Sequence, residues 1–204
     1  MKPDLRPMLA TLTDKPFDDP DWIFETKWDG FRLMAEIKDG SVALYSRNLI
    51  DLSRKYPSVC AALSGLHRFA VIDGELVALD ARGRSRFQLL QNAERERVRL
   101  RYCAFDLIYL DDQDLRDHPL IERKALLEKI LPRDPLLHYS AHVWDKGIAA
   151  FKRAFCSGDS PSAAIASAGN SSAEMARGFM ATTCRAISRA RSRNSSVRAT
   201  KSVS

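Results

Sequence analysis

Apolar and polar positions change period several times along the first 150 residues. Ile23–Glu25, Phe31–Ile37 and Val42–Ser46 are short runs rich in strand-forming residues, and the last two are joined through Lys38-Asp39-Gly40, where Asp-Gly predicts a hairpin. From Leu49 to Leu66 the period becomes helical: Pro57 suits a first helical position, and Val59, Ala62, Leu63 and Leu66 recur on one side. Phe69–Leu79 returns to an extended pattern. The turn Asp80-Ala81-Arg82-Gly83 then leads to a short helix predicted over Phe87–Ala93. Arg101–Leu110 is an almost unbroken apolar run interrupted by one acid, Asp106, as expected of a buried strand. The clearest helix is Pro119–Leu131, with Leu120, Lys124, Leu127 and Leu131 on one stripe and Pro132 ending it. Hairpin-linked strands with interspersed helices predict an α+β domain of antiparallel sheets with packed helices, not a βαβ repeat.

After about Phe155 this patterning stops. The last 54 residues contain 12 Ser and 11 Ala and few large apolar groups, which predicts a poorly ordered tail over 153–204 behind a domain spanning 1–152. The charge divides in the same way. Residues 1–150 carry 23 Lys and Arg against 24 Asp and Glu, and residues 151–204 carry 9 against 2, so the net +6 belongs to the tail. A basic tail beside a near-neutral body is weaker evidence for nucleic-acid binding than the sequence pI of 9.3 suggests.

Composition narrows the class further. With 45% hydrophobic and 28% charged residues, the 204-residue chain has the make-up of a globular protein able to bury a core. Cys60, Cys103, Cys156 and Cys184 lie too far apart for a Cys-x-x-Cys redox or zinc spacing, and they read as reduced thiols. Neither a signal-peptide h-region nor an apolar run of spanning length is present, so a cytoplasmic protein without membrane association is expected.

The tetrapeptide Lys27-Trp28-Asp29-Gly30 stands between two predicted strands. A lysine there, beside a carboxylate and a glycine that admits a ligand, can act as an amine nucleophile once its pKa is lowered from about 10.4. The same residues also suit an ordinary solvated Asp-Gly turn. Three later segments change the weighing: Ser46-Arg47-Asn48, Val71-Ile72-Asp73-Gly74-Glu75-Leu76-Val77 and Ala104-Phe105-Asp106-Leu107-Ile108-Tyr109-Leu110.

In this order and at these distances the segments resemble the nucleotidyltransferase motifs of ATP-dependent DNA ligases. Glu25-Thr26-Lys27-Trp28-Asp29-Gly30-Phe31-Arg32 resembles the lysine motif, Asp73-Gly74-Glu75 the central acidic motif, and Phe105–Leu110 the aromatic motif. The opening Arg6-Pro7-Met8-Leu9-Ala10 and the segment Pro119-Leu120-Ile121-Glu122-Arg123-Lys124 are similar to the ligase modules of bacterial end-joining ligases. The resemblance covers about residues 5–150. It implies a nucleotidyltransferase (adenylation) domain of ATP-grasp-like architecture, with ATP and Mg²⁺ as cofactors and nicked or broken double-stranded DNA as partner. It further implies DNA repair and recombination in a bacterial cytosol or nucleoid, beside partner modules of an end-joining system.

Under that resemblance Lys27 is the catalytic nucleophile, assisted by Asp29, and takes AMP from ATP as a lysyl-AMP. Glu25, Arg32, Arg47, Glu75 and Phe105 are the expected cofactor-binding residues: the arginines as forked donors to phosphate or ribose, Phe105 as a stacking partner for adenine, and Glu75 as a ribose acceptor or metal ligand. Arg32 and Arg47 also read as surface cations and Phe105 as a core aromatic. Glu75 lies in an apolar run where an unpaired carboxylate is costly, which favours a functional role.

Other candidates are weaker. His138 and His142 are four apart with no third ligand nearby and read as ordinary histidines. Arg95, Arg97, Arg99 and Arg101 alternate with Glu94 and Glu96, the pattern of a solvated face. No P-loop or Gly-x-Gly-x-x-Gly turn is present.

The family pattern continues with an acidic Glu-Gly segment ending in lysine, a Trp-x-Lys-x-Lys segment and an oligonucleotide-binding barrel. None is matched: the last tryptophan is Trp144, and beyond residue 152 the only lysine is Lys201. Each electrostatic contact of this kind is worth about 10²–10³ in rate, so efficient nick sealing by this chain is not expected. A catalytically silent remnant that at most binds nucleotide, or an RNA-ligase or capping-type nucleotidyltransferase, is the alternative. A reading-frame shift beyond residue 152 is the expected origin of the Ser- and Ala-rich segment.

Overall fold

The computed structural model describes residues 5–7, 11–12, 15–91, 98–156, 165–168 and 185–188. In chain order the elements are β1 (Thr11–Leu12), β2 (Asp19–Glu25), β3 (Phe31–Lys38), β4 (Ser41–Ser46), α1 (Pro57–Leu63), β5 (Phe69–Leu79), α2 (Phe87–Gln91), β6 (Arg99–Leu110), β7 (Gln113–Asp114), α3 (Leu120–Ile130), β8 (Leu137–Tyr139), β9 (His142–Asp145), α4 (Gly147–Cys156), β10 (Ile165–Ala168) and β11 (Arg185–Ser188). They form two sheets. One has the order β1-β11-β10-β2-β9; the other runs β4-β3-β5-β6-β7, with β8 beside β6.

The second sheet holds the main core. Residues directly opposite in an antiparallel pair share a face, so the registers Leu33↔Gly74, Ala35↔Ile72 and Ile37↔Ala70 set one face of β3 and β5. That face meets α1 and α3 in a cluster containing Leu33, Ala35, Ile37, Leu44, Val59, Leu63, Ile72, Leu76, Tyr102, Leu107 and Leu127. The opposite face carries the other residues of the same strands. Arg32 stands opposite Glu75 and Met34 opposite Asp73, while Glu75 stands opposite Cys103 across β5 and β6. Both faces of the central strands are covered, which is why Phe69–Leu79 and Arg101–Leu110 read as long apolar runs and not as strict alternation.

Most predicted elements are present with shifted ends. The hairpin turn lies at Asp39-Gly40, both at positive φ, and joins β3 to β4 as expected, with Lys38 opposite Ser41. Within Leu49–Leu66 the helix begins at Pro57, the expected first helical position, and ends at Leu63, short of Leu66. The residues before it form a turn in which Leu49 takes φ 60°, Asp51 bridges to Tyr45, and the Ser53 hydroxyl accepts the Leu44 amide at 2.9 Å. Serine and aspartate side chains that bond nearby backbone compete with a helix, and here they win. The short helix predicted over Phe87–Ala93 is present over Phe87–Gln91, and positions 92–93 lie outside the described residues.

The expectation that the segment after residue 152 adds no strand is corrected at two places. β10 pairs antiparallel with β2, and β11 pairs with both β10 and β1. A free strand edge offers unpaired backbone groups to any extended segment, irrespective of its side chains. Residues 153–156 are the end of α4, and residues 157–164, 169–184 and 189–204, together with Arg95, Arg97 and Met8-Leu9-Ala10, lie outside the described residues. Among the described residues no helix is long and apolar enough to cross a membrane.

Candidate functional site

The acidic motif on β5 is shaped by packing. A Cβ on Gly74 would lie 2.5 Å from the ring of Tyr102, whose hydroxyl donates to the carbonyls of Leu33 at 3.0 Å and Ile72 at 3.2 Å. Gly74 therefore seats Tyr102 on the core face, and its neighbours Asp73 and Glu75 point to the other. Asp73 is 1% exposed and is gripped by Arg32, with Nε donating to Oδ1 at 3.0 Å and Nη2 reaching Oδ2. Burial works against the Arg32 charge, but the hydrogen bonds and the negative charge of Asp73 hold its pKa above the ordinary value. The Arg32 guanidinium also lies 5.4 Å from the centroid of the Phe105 ring. Arg32, Asp73, Glu75 and Phe105 thus occupy one face of the second sheet.

The lysine motif is a loop laid over this face. Trp28 packs against Val77, Leu79 and Cys103, and its Nε1 donates to the Ser140 hydroxyl at 3.1 Å. A Cβ on Gly30 would fall 2.1 Å from the Leu76 carbonyl oxygen, so only glycine permits this approach of the loop to β5. Asp29 accepts the Phe87 amide at the start of α2 at 3.1 Å, and its own amide donates to the Ser85 hydroxyl at 3.3 Å. Its carboxylate is thereby directed to α2 and ties the loop there. Lys27, half-buried, lies between this tie and Glu25 at the end of β2.

Glu25 is buried and forms an ion pair with Lys124 at 3.0 Å, close but not aligned as a hydrogen bond. Burial raises its pKa to about 7 against the opposing pull of Lys124. Lys124, 0% exposed, donates to the carbonyls of Phe105 at 3.2 Å and Ser140 at 2.8 Å and lies 4.8 Å from the Tyr139 ring centroid. Next to it, Arg123 is buried against Asp106 with bonds of 2.8 and 3.0 Å and also donates to the His118 carbonyl. A chain of contacts thus runs Glu25, Lys124, Phe105, Arg32, Asp73. Neither Lys124 nor Arg123 was singled out for a site from the sequence. The signal was there for Lys124, which occupies the i+4 position of the Leu120–Leu127 stripe and must be buried with its charge matched.

Of the remaining candidates, Arg47 stands apart from this contact chain. It is exposed in the turn after β4, one position beyond the Leu33↔Ser46 pair and therefore at the Arg32 end of the sheet. His138 is edge-on to Trp28 at 5.5 Å, and burial followed by the charge of Arg101 lowers its pKa. His142 lies opposite Glu25 on β9, its pKa lowered by burial and then by Lys124. Among the described residues no three His, Cys, Asp or Glu side chains are grouped to hold a metal.

Comparison with known proteins shows the family of the chain. The family model "ATP dependent DNA ligase domain" matches residues 7–155. The "Multifunctional non-homologous end joining protein LigD" of Pseudomonas aeruginosa is 44% identical over 138 residues, covering 65% of this chain and 16% of that protein. A "DNA ligase" of Methanococcus aeolicus is 34% identical over 142 residues, covering 64% and 25%. The solved structure "mycobacterial DNA ligase D complexed with ATP and MES" superposes with a TM-score of 0.70 at 34% identity, covering 80% of this chain and 54% of that one. The chain therefore spans about a sixth of the P. aeruginosa relative and about half of the solved one.

Proposed function

The chain belongs to the ATP-dependent DNA ligase domain family, and on that premise we propose that it transfers AMP from ATP to Lys27 as the first step in sealing DNA breaks. The observation that carries the reading is the contact chain from Glu25, two residues before Lys27, through Lys124 and Phe105 to Arg32, which connects dispersed motif residues. In the step, the neutral Lys27 amine attacks the α-phosphorus, a P–N bond forms, the bond to the pyrophosphate oxygen breaks, and the amine proton passes to solvent. The chemistry is mainly positioning and charge neutralisation. Arg32 and Arg47 would donate to ribose or phosphate oxygens, Glu25 and Glu75 would accept from the nucleoside, and Phe105 would stack on the base. Asp29 contributes by holding the lysine loop against α2.

Glu75 is the residue proposed for Mg²⁺. One carboxylate without a protein cage fits an ion that usually takes one or two carboxylates together with substrate phosphates. When bound, the ion would offset the charge of the triphosphate.

The division proposed is residues 1–152 as the nucleotidyltransferase and 153–204 as a Ser- and Ala-rich segment, from which β10 and β11 join the sheet of β2. Nicked or broken double-stranded DNA in the cytosol is the proposed substrate, by kinship with the end-joining relatives, with partner modules of such a system alongside. Because the later lysine motifs are unmatched, adenylation and not efficient sealing is the activity assigned to this chain. Incubation with α-labelled ATP and Mg²⁺ should label the protein, and Lys27→Ala should abolish the label. Label persisting in that variant overturns the assignment of Lys27, and an unlabelled wild-type chain supports the silent remnant.

A further inference from the structure

Lys124 is costly where it stands. It is fully buried on the apolar stripe of α3, where a leucine or methionine would continue the Leu120–Leu127 pattern without removing a charge from water. Exchanging buried ion pairs for apolar residues is often neutral or stabilising, so stability alone is a weak reason for the lysine. Its geometry offers another. Three oxygens from three separate chain segments lie within 3.2 Å of its ammonium: the Phe105 carbonyl in β6 and the Ser140 carbonyl between β8 and β9, to which it donates, and Glu25 Oε1 at the end of β2, held as an ion pair. Ser140 is itself tied to the lysine loop, since its hydroxyl accepts Trp28 Nε1, and to β6, since its amide donates to the Ala104 carbonyl at 2.8 Å.

We propose that Lys124 is a positioning residue for nucleotide binding, its ammonium fixing the Glu25 carboxylate and the Phe105 backbone in one geometry beside the lysine loop. The proposal rests on the reading of this face as the ATP site. Lys124 does not touch the nucleotide in this account. It sets the distance between two groups that do and keeps Glu25 ionised to lower pH than burial alone would allow. The charged and titratable groups around Glu25 are Lys124 from α3, Asp106 from β6, Tyr139 from β8 and His142 opposite on β9, of which Lys124 is the main one favouring the carboxylate.

The test uses the full chain with Lys124→Met and Lys124→Gln. Methionine keeps the volume and removes every donor; glutamine keeps two donors for the carbonyls and removes the charge. Folding is followed by thermal melting, MgATP affinity by calorimetry, and lysyl-AMP formation from labelled ATP between pH 5.5 and 9. The expected result is folded variants with ATP affinity reduced about tenfold or more and a smaller change in rate at saturating ATP. The acidic limb of the pH profile should also move upward by about one unit or more, because the cation favouring ionised Glu25 is gone. Folded variants with wild-type affinity and an unmoved limb overturn the proposal. So does failure of both variants to fold, which would make Lys124 a structural residue. If the wild-type chain binds ATP but takes no label, weaker binding by the variants still supports the positioning role while the adenylation reading falls. Labelling unaffected in both variants has the opposite meaning.

Discussion

Gly74→Ala should destabilise the domain through one identifiable clash. The added methyl would lie 2.5, 2.7 and 2.8 Å from three atoms of Tyr102, where ordinary contacts begin near 3.4 Å. Tyr102 is 0% exposed and cannot swing into solvent. Overpacking of this kind costs about 1–3 kcal/mol. If the ring retreats, its hydroxyl leaves the carbonyls of Leu33 and Ile72, adding about 1–3 kcal/mol for buried hydrogen bonds lost. The expected total is about 2–6 kcal/mol, or a fall in Tm of roughly 4–24 °C for a chain of this size. Urea titration followed by circular dichroism measures the change, and Gly74→Ala/Tyr102→Leu completes a double-mutant cycle. Removing the ring that the methyl strikes should make the double variant lose less than the sum of the singles, by at least about 1 kcal/mol. Gly74→Ala within about 0.5 kcal/mol of wild type, or strict additivity, would refute this account of the acidic motif. Because the strand also carries Asp73 and Glu75, the same variant should form lysyl-AMP more slowly.

Arg32→Lys removes the two-armed hold on Asp73 and the planar contact with Phe105, and it should slow labelling about 10²-fold or more; a change below threefold would exclude Arg32 from the site. Arg123→Met should destabilise by about 3–5 kcal/mol, because it strands the buried Asp106 carboxylate, and adding Asp106→Asn should recover part of that loss in urea melts. The native pKa of Glu25, about 7, is above its ordinary 4.5, so the folded state binds more protons and stability falls as pH rises from about 4.5 to 7. Glu25→Gln should flatten that part of the curve, and urea midpoints at pH 5 and pH 8 that drop equally in both proteins would disprove it.

Much of the site was legible in one dimension because its residues serve local backbone demands as well as chemistry. Lys27, Asp29 and Gly30 form a loop that must pass within touching distance of β5, and Asp73-Gly74-Glu75 is a strand segment whose middle residue must be glycine. Each constraint leaves a short fixed spacing in the sequence. The alternation that placed Arg32 and Glu75 on a common face likewise depends only on strand period and register.

Other features depended on contacts between residues far apart in the chain. The stripe position separates Lys124 from the exposed Lys129 on the same helix, but the partners that make its burial tolerable are oxygens converging from other segments, which no local pattern shows. The turn ahead of the helix that starts at Pro57 has the same origin, since the Ser53 hydroxyl finds the Leu44 amide nine residues back. The pairing of Ala-rich β10 with β2 was invisible for a related reason: it uses backbone groups on an open edge, which every residue possesses. Local pattern thus determined the strands, the helix faces and the spacing of the motifs. Which charges became buried partners, and which free edge acquired a neighbour, was decided only when distant segments met, because desolvation and backbone pairing are properties of the assembled surfaces.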